Sequence, residues 1–277
     1  MRGLFLWATS FTDLPVRRLG SACAPLGLSL RHVAVYSGLM HSLIIHMPGD
    51  TKRASNVATL RDTLPNAQIV DAVIGKDVMA TGGCAPIAGS LYRPSYPFPL
   101  SPGEVGCFLS HRACWQKIVA QDWDWALIVE DDLSVDPTLW PDALHLIADH
   151  MTPDHFIRLP AKHREAAAAT VAQFGEARLF LPRVPGLQTV AQVVGRAAAA
   201  RLLASTETID RPVDTFLQMH WIHGQTIHTI LPNGASELTD ALGGSTIQKK
   251  SGSHSKLERE LKRAVYRAQV SAHRQHM

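Results

Sequence analysis

Three consecutive acids, Glu130, Asp131 and Asp132, follow the uninterrupted apolar run Trp125-Ala126-Leu127-Ile128-Val129. A short apolar run bounded by charge predicts a strand covered on both faces. In parallel α/β sheets the carboxyl ends of such strands open onto the ligand crevice. Like charges repel there: two carboxylates ~5 Å apart cost about 3 kcal/mol at an effective dielectric of ~20. A bound divalent cation removes that penalty. Strand alternation puts Glu130 and Asp132 on one side and Asp131 on the other, so an acid-x-acid pair can face a metal that also grips a diphosphate. A solvated acidic turn capping the next helix is the reading that the triplet alone leaves open.

The elements around the triplet are those of an α/β chain. Apolar Leu43 to Met47 predicts a strand, Arg53 to Leu64 a helix and Gln68 to Val73 a second strand, which together start a mostly parallel sheet. Residues 80 to 100 are dense in Gly and Pro and predict a loop. Ser101-Pro102-Gly103-Glu104 then places a capping serine, a first-turn proline and a third-position glutamate in capping-box order. Val105, Phe108, Leu109, Trp115, Ile118 and Val119 recur behind it at helical spacing, with Ser110, His111 and Arg112 as a polar interruption. Downstream, Asp136-Pro137 opens a helix to about His150, Phe156 to Leu159 and Gln188 to Val194 predict strands, and the alanine-rich stretch between them has no clear period. Arg196 to Ser205 and the segment opening at Pro212-Val213-Asp214 read as helices, and Gln225 to Leu231 as the last strand.

Composition bounds the rest. The chain of 277 residues is 46% apolar and 18% charged, as expected for one large globular unit and not for a disordered one. Its four cysteines, Cys23, Cys84, Cys107 and Cys114, form no CxxC pair, and the last two sit in a helical pattern as small apolar residues, which fits a reducing, cytoplasmic compartment. The run from residue 125 to 129 is far short of the ~20 apolar residues of a membrane span. Residues 1–39 lack a sustained period and a small-residue cleavage site, so they read as a poorly structured or untranslated extension before a catalytic domain at 40–248. Residues 249–277 hold eight Lys or Arg against two Glu, a net +6. Leu257, Leu261, Val265 and Ala268 add a narrow apolar stripe, so this tail is either a peripheral contact for the anionic inner face of the inner membrane or a solvated helix packed on the domain.

The segment SPGEVGCFLSHRACWQKIV (Ser101 to Val119), followed by WALIVEDD, is very similar to glycosyltransferase family 25. IIHMPGDTKR (Ile44 to Arg53) resembles that family's opening strand and loop, with His46-Met47 where the family usually has Asn-Leu. DAVIGKD (Asp71 to Asp77) resembles its second strand, and PVDTFLQMHWIHG (Pro212 to Gly224) its acceptor-side segment. The resemblance, spanning roughly residues 40–248, implies a GT-A-like α/β fold, a UDP-hexose donor carrying galactose or glucose, a divalent metal (usually manganese), inversion at the anomeric carbon, and a lipid-linked lipopolysaccharide or lipooligosaccharide acceptor.

On that basis Glu130 and Asp132 are the expected metal ligands, Asp214 the expected base, Glu104 its alternative, and Asp131 a third catalytic acid. Arg53 is a candidate for donor phosphate, since a guanidinium suits bidentate phosphate contacts. Ser110, His111 and Arg112 are candidates for substrate contact, and Trp221 for stacking on a sugar face. His220 and His223, three apart, lack an obvious third ligand for zinc and read as structural or acceptor-facing. Two rivals remain in view. A metal-dependent phosphoesterase would need further ligands at other strand ends, and a non-catalytic binding protein with a basic tail leaves the acidic triplet unexplained. Neither nucleic acid nor a membrane span is expected.

Overall fold

A computed structural model describes residues 40–82, 89–239, 242 and 256–276. The expectation for residues 1–39, together with Cys23, Cys84 and the first part of the basic tail, falls outside the described residues.

The predicted opening βαβ unit is present. Strand β1 (His41–His46) and strand β2 (Ala67–Asp71) pair in parallel around helix α1 (Ala54–Thr63). A short helix α2 (Gly75–Ala80) follows, between the predicted strand and the predicted loop. The chain then runs irregularly to helix α3 (Pro102–Ala120), whose start carries the capping box the sequence spells. Ser101 Oγ accepts the Glu104 N–H at 3.3 Å, and the Glu104 carboxylate accepts the Ser101 N–H at 2.7 Å. Helices α2 and α3 meet backbone to backbone. A Cβ at Gly75 would lie 2.0 Å from the Pro102 carbonyl and one at Gly106 2.5 Å from the Val73 carbonyl, so only glycine fits either place.

Strand β3 (Trp125–Glu130) lies against β1 in parallel, and Ala126 to Val129 are fully buried, as a strand covered on both faces requires. Its side chains divide the core. Leu127 and Val129 join α1 and helix α4 (Trp140–His150) on one face, and Ala126 and Ile128 join α3 and helix α5 (Arg196–Ala204) on the other. Helix α4 begins four residues later than Asp136-Pro137 predicts, because the Asp136 carboxylate accepts from Thr138 N (2.8 Å) and Thr138 Oγ1 (2.6 Å) and closes a turn first.

The sheet is completed by β5 (Phe156–Arg158), β6 (Ala167–Phe174), β7 (Ala177–Pro182), β8 (Ala191–Gly195) and β9 (Ile227–Leu231), in the order β2-β1-β3-β8-β5-β9-β7-β6. Strands β8 and β7 run against the other six, so the sheet is mixed but mostly of one direction, consistent with a GT-A-like fold. A separate antiparallel ribbon joins β4 (Leu133–Val135) to β10 (Ala235–Glu237), and it anchors the chain on both sides of the acidic turn. Short helices α6 (Val213–Leu217) and α7 (His220–His223) precede β9.

The basic tail forms helix α8 (Lys256–Ser271). Tyr266 and Val270 are buried and hold it to the domain, with the Tyr266 hydroxyl accepting from Arg211 Nη1 at 2.9 Å. Leu257, Leu261, Val265 and Ala268 lie on the opposite side and are exposed. Among the described residues no helix is long and apolar enough to cross a membrane.

Candidate active site

Because β1 and β3 are parallel neighbours, with Ile45 opposite Glu130, the strands end on one rim of the sheet. The acids there separate as alternation predicts. Glu130 and Asp132 line a cleft of about 680 Å³ together with Glu104, Cys107, Thr189, Asp214 and Thr239. Asp131 turns to the other side, where its Oδ2 meets His46 Nδ1 at 2.8 Å and its Oδ1 accepts from Arg53 Nη1. Asn56 Nδ2 fixes the turn itself by donating to the carbonyls of Asp131 (2.8 Å) and Leu133 (2.9 Å). Both Asp131 carboxylate oxygens are thus engaged, one by His46 and one by Arg53, on the side away from the Glu130 and Asp132 cleft.

Each of the other two acids is held by one end. Glu130 Oε1 accepts from Thr189 Oγ1 at 2.6 Å and lies 3.3 Å from His111 Nε2. Gln192 Nε2 sits 2.8 Å from His111 Nδ1. Burial pushes the Glu130 carboxyl up, but the contacts with His111 and Thr189 and the charge of Arg53 outweigh it and hold the group below the usual carboxylate range. Asp132 Oδ2 accepts from Thr239 Oγ1 at 2.8 Å and lies 3.4 Å from Arg53 Nη1. Burial, with the charge of Glu130 added, raises the Asp132 carboxyl. Glu130 Oε2 and Asp132 Oδ1 accept no hydrogen bond among the described residues, so each keeps a hard oxygen for a ligand.

Asp214 lies on the same cleft at the start of α6. Its Oδ1 accepts from Thr215 N at 2.6 Å and its Oδ2 from Gln188 N at 3.3 Å. Burial nevertheless raises its carboxyl against those hydrogen bonds. Glu104 also faces the cleft, but its Oε2 closes the capping box with Ser101.

A second cavity of about 440 Å³ adjoins the first, sharing Arg53, Cys107 and Glu130 with it. Its walls are Ile45, Ala72, Val73 and Ile74 from the ends of β1 and β2, and Ser110 and His111 from α3. Ser110 borders this cavity, yet its hydroxyl is engaged structurally: it donates to the Gly106 carbonyl at 2.7 Å and accepts from Val73 N at 2.8 Å.

Two candidates lie elsewhere. Arg112 Nη1 donates to the carbonyls of Leu203 (3.1 Å) and Thr206 (2.5 Å), so it closes the carboxyl end of α5 and does not line the cleft. Trp221 stacks on His273, ring centroids 4.1 Å apart, in a third cavity beside α8 that shares no lining residue with the acidic cleft. His223 is buried, with Nε2 at 3.2 Å from the Leu217 carbonyl, and burial lowers it to about 4, which makes it a neutral structural histidine. Thr189, Gln192, Thr239 and Asn56 carry no local signal for a role, and His46 is marked only by its place in the opening strand and loop. They become visible only through tertiary structure: the sheet order brings β8 and β1 beside β3, the ribbon of β4 and β10 brings Thr239 in, and α1 carries Asn56.

Residues 40–217 match glycosyltransferase family 25, described as an LPS biosynthesis protein family. A rat protein named probable inactive glycosyltransferase 25 family member 3 is 29% identical over 180 residues, covering 60% of this chain and 30% of that protein. Human procollagen galactosyltransferase 2 is 28% identical over 180 residues, covering 60% of this chain and 28% of its own length. A family member from Aedes aegypti is 43% identical over 44 residues, 16% of this chain and 7% of that protein. The chain therefore spans less than a third of the length of these relatives. With the acidic turn, the capped helix α3 and strands β1 and β3 inside the matched residues, the chain belongs to glycosyltransferase family 25.

Proposed function

We propose that this chain is an inverting glycosyltransferase that moves a hexose, galactose or glucose, from a UDP-sugar to a saccharide of lipopolysaccharide or lipooligosaccharide. The observation that carries the reading is the convergence of Glu130, Asp132 and Asp214 on one cleft, each acid fixed by neighbours that leave it facing open space. The name of the human relative favours galactose. The family's description favours a lipopolysaccharide acceptor.

The donor set fits a hard divalent ion such as manganese, since Glu130 and Asp132 offer carboxylate oxygens and the charge of one destabilises the other in the absence of a cation. Bound there, the ion would supply charge neutralisation for the diphosphate leaving group. The protein's own groups do the rest. Thr189 and His111 orient Glu130, Thr239 and Arg53 orient Asp132, and Asp131 with His46 keeps the Arg53 guanidinium in place for phosphate. The smaller cavity, with its apolar wall at the ends of β1 and β2, suits the nucleoside; the larger suits the sugar and acceptor. Asp214, whose raised carboxyl is the more avid for a proton, takes the acceptor hydroxyl's proton as that oxygen attacks the anomeric carbon, and a single displacement inverts the configuration.

Helix α8 supports a second contact. Its exposed apolar stripe points away from the domain and basic side chains flank it, which suits the anionic inner face of a membrane near the lipid-linked acceptor.

Purified protein offered a panel of UDP-sugars with and without manganese should release UDP with a galactose or glucose donor only when the metal is present. A non-catalytic member, as the name of the rat relative describes that protein, would release none with any donor. Metal-independent release would remove Glu130 and Asp132 from their role.

A further inference from the structure

A different set of ligands lies at the seam between the two cavities. Cys107 and His111 stand one turn apart on α3, and the Cys107 sulfur, a His111 nitrogen and a Glu130 carboxylate oxygen all lie within 4.8 Å of one another. Thiolate, imidazole and carboxylate are the side-chain ligands of borderline-soft zinc, whereas the pair Glu130 and Asp132 offers only hard oxygen. Zinc bonds of ~2.0–2.3 Å set ligand atoms about 3.5 Å apart in a tetrahedron, so closing the site needs a shift of about 1 Å shared among three side chains.

The surroundings of His111 favour such a site. The imidazole is fully buried, with one nitrogen facing Glu130 Oε1 and the other facing the Gln192 amide. For a neutral imidazole with no cation the Nε2 proton points at Glu130, which leaves Gln192 to donate to Nδ1 and its own buried Oε1 without a hydrogen bond. Turning that amide over places Oε1 on Nδ1, moves the proton there and frees the Nε2 lone pair. A lone pair facing a carboxylate is repulsive unless a cation lies between them. Histidines that bind metal characteristically donate their other N–H to an oxygen behind them, and Gln192 is placed to receive it. Cys107 and Glu130 both border the cleft, so water can complete the coordination from that side.

We infer that Cys107, His111 and Glu130 form a binding site for zinc or another borderline-soft divalent ion, distinct in chemistry from the hard-ion pair Glu130 and Asp132. Because Glu130 belongs to both sets, occupancy of this site withdraws a ligand from the other. Low zinc therefore inhibits any activity that depends on the hard ion.

Cobalt(II) is the probe, because a thiolate ligand gives it an intense near-ultraviolet charge-transfer band that oxygen ligands do not. Titrating the reduced full chain with cobalt should produce that band, and zinc should abolish it at one equivalent. Cys107→Ser should lose the band, and zinc affinity read against a chromophoric chelator should fall at least 10-fold; a matched thermal unfolding curve for the metal-free variant shows that its fold is intact. Asp132→Asn should keep the band. The inference is overturned if no band forms, or if the band survives Cys107→Ser. Neither result bears on the UDP-sugar reading, since both are read without turnover.

Discussion

The acidic turn after β3 and the basic helix α8 both concentrate charge in a few residues, and they treat it in opposite ways. At the turn, Asp131 and Asp132 are nearly buried, and each carboxylate is matched to a named cation or hydroxyl drawn from distant parts of the chain. On α8 two ion pairs join helix neighbours, Glu258 with Lys262 at 2.9 Å and Glu260 with Arg263, in side chains open to water. Exposed pairs of that kind contribute roughly 0–1 kcal/mol, while a buried charge that loses its partner costs several. Clustered charge in a sequence is therefore ambiguous. What distinguishes chemistry from solvation is whether remote residues converge on it.

Four experiments test that contrast, the largest expected effect first. Asp132→Asn should reduce metal-dependent transfer to the assay background, because a neutral amide keeps the packing but weakens the hold on a hard ion and its diphosphate. Calorimetric titration of UDP with manganese checks it, and equal affinity in wild type and variant would refute the metal role. Arg53→Met leaves Asp131 and Asp132 without their shared cation, so urea denaturation should show a loss of about 3–5 kcal/mol. A loss below about 1 kcal/mol would make the turn energetically no different from α8.

Asp214→Asn should lower turnover by about 10²-fold while sparing donor binding, as removal of a general base does. In the wild type, activity should fall as the pH drops through the raised Asp214 and Asp132 carboxyls, since protonation removes the base and a metal ligand, and the variant should keep only the Asp132 part of that acid limb. Near-normal turnover would transfer the role to Glu104. Smallest of all, Leu261→Ser on the exposed face of α8 should shift stability by under ~0.5 kcal/mol yet reduce sedimentation with anionic liposomes at low salt. Binding indifferent to lipid charge and to this stripe would leave α8 a solvated helix.

The parts legible in the sequence are those specified locally. The run before Glu130 announced a buried strand, Ser101 to Glu104 wrote out the start of α3, and alternation alone separated Asp131 from its neighbours. The hairpin of β6 and β7 was hidden because alanine has little β preference, and it forms where Gly175 turns with φ of 52° beneath the Asp142 carboxylate. Arg112 read as part of a substrate motif, yet the nearest unsatisfied groups in space are carbonyls at the end of α5. Thr189 and Thr239 are 59 and 107 residues from the acids they hold, a separation that no local pattern encodes.

The contact of Gly75 with Gly106 bears on how this site can diversify. With main chain pressed on main chain, the part of the smaller cavity's lining formed by Gly75 and Gly106 carries no side chain to exchange. Variation in what the cavity admits falls instead to the side chains around that contact, such as Ile45, Ile74 and Lys76. Descendants of this sequence can change the ligand they prefer at those places while the spacing between β2 and the histidine-bearing face of α3 stays where the two glycines set it.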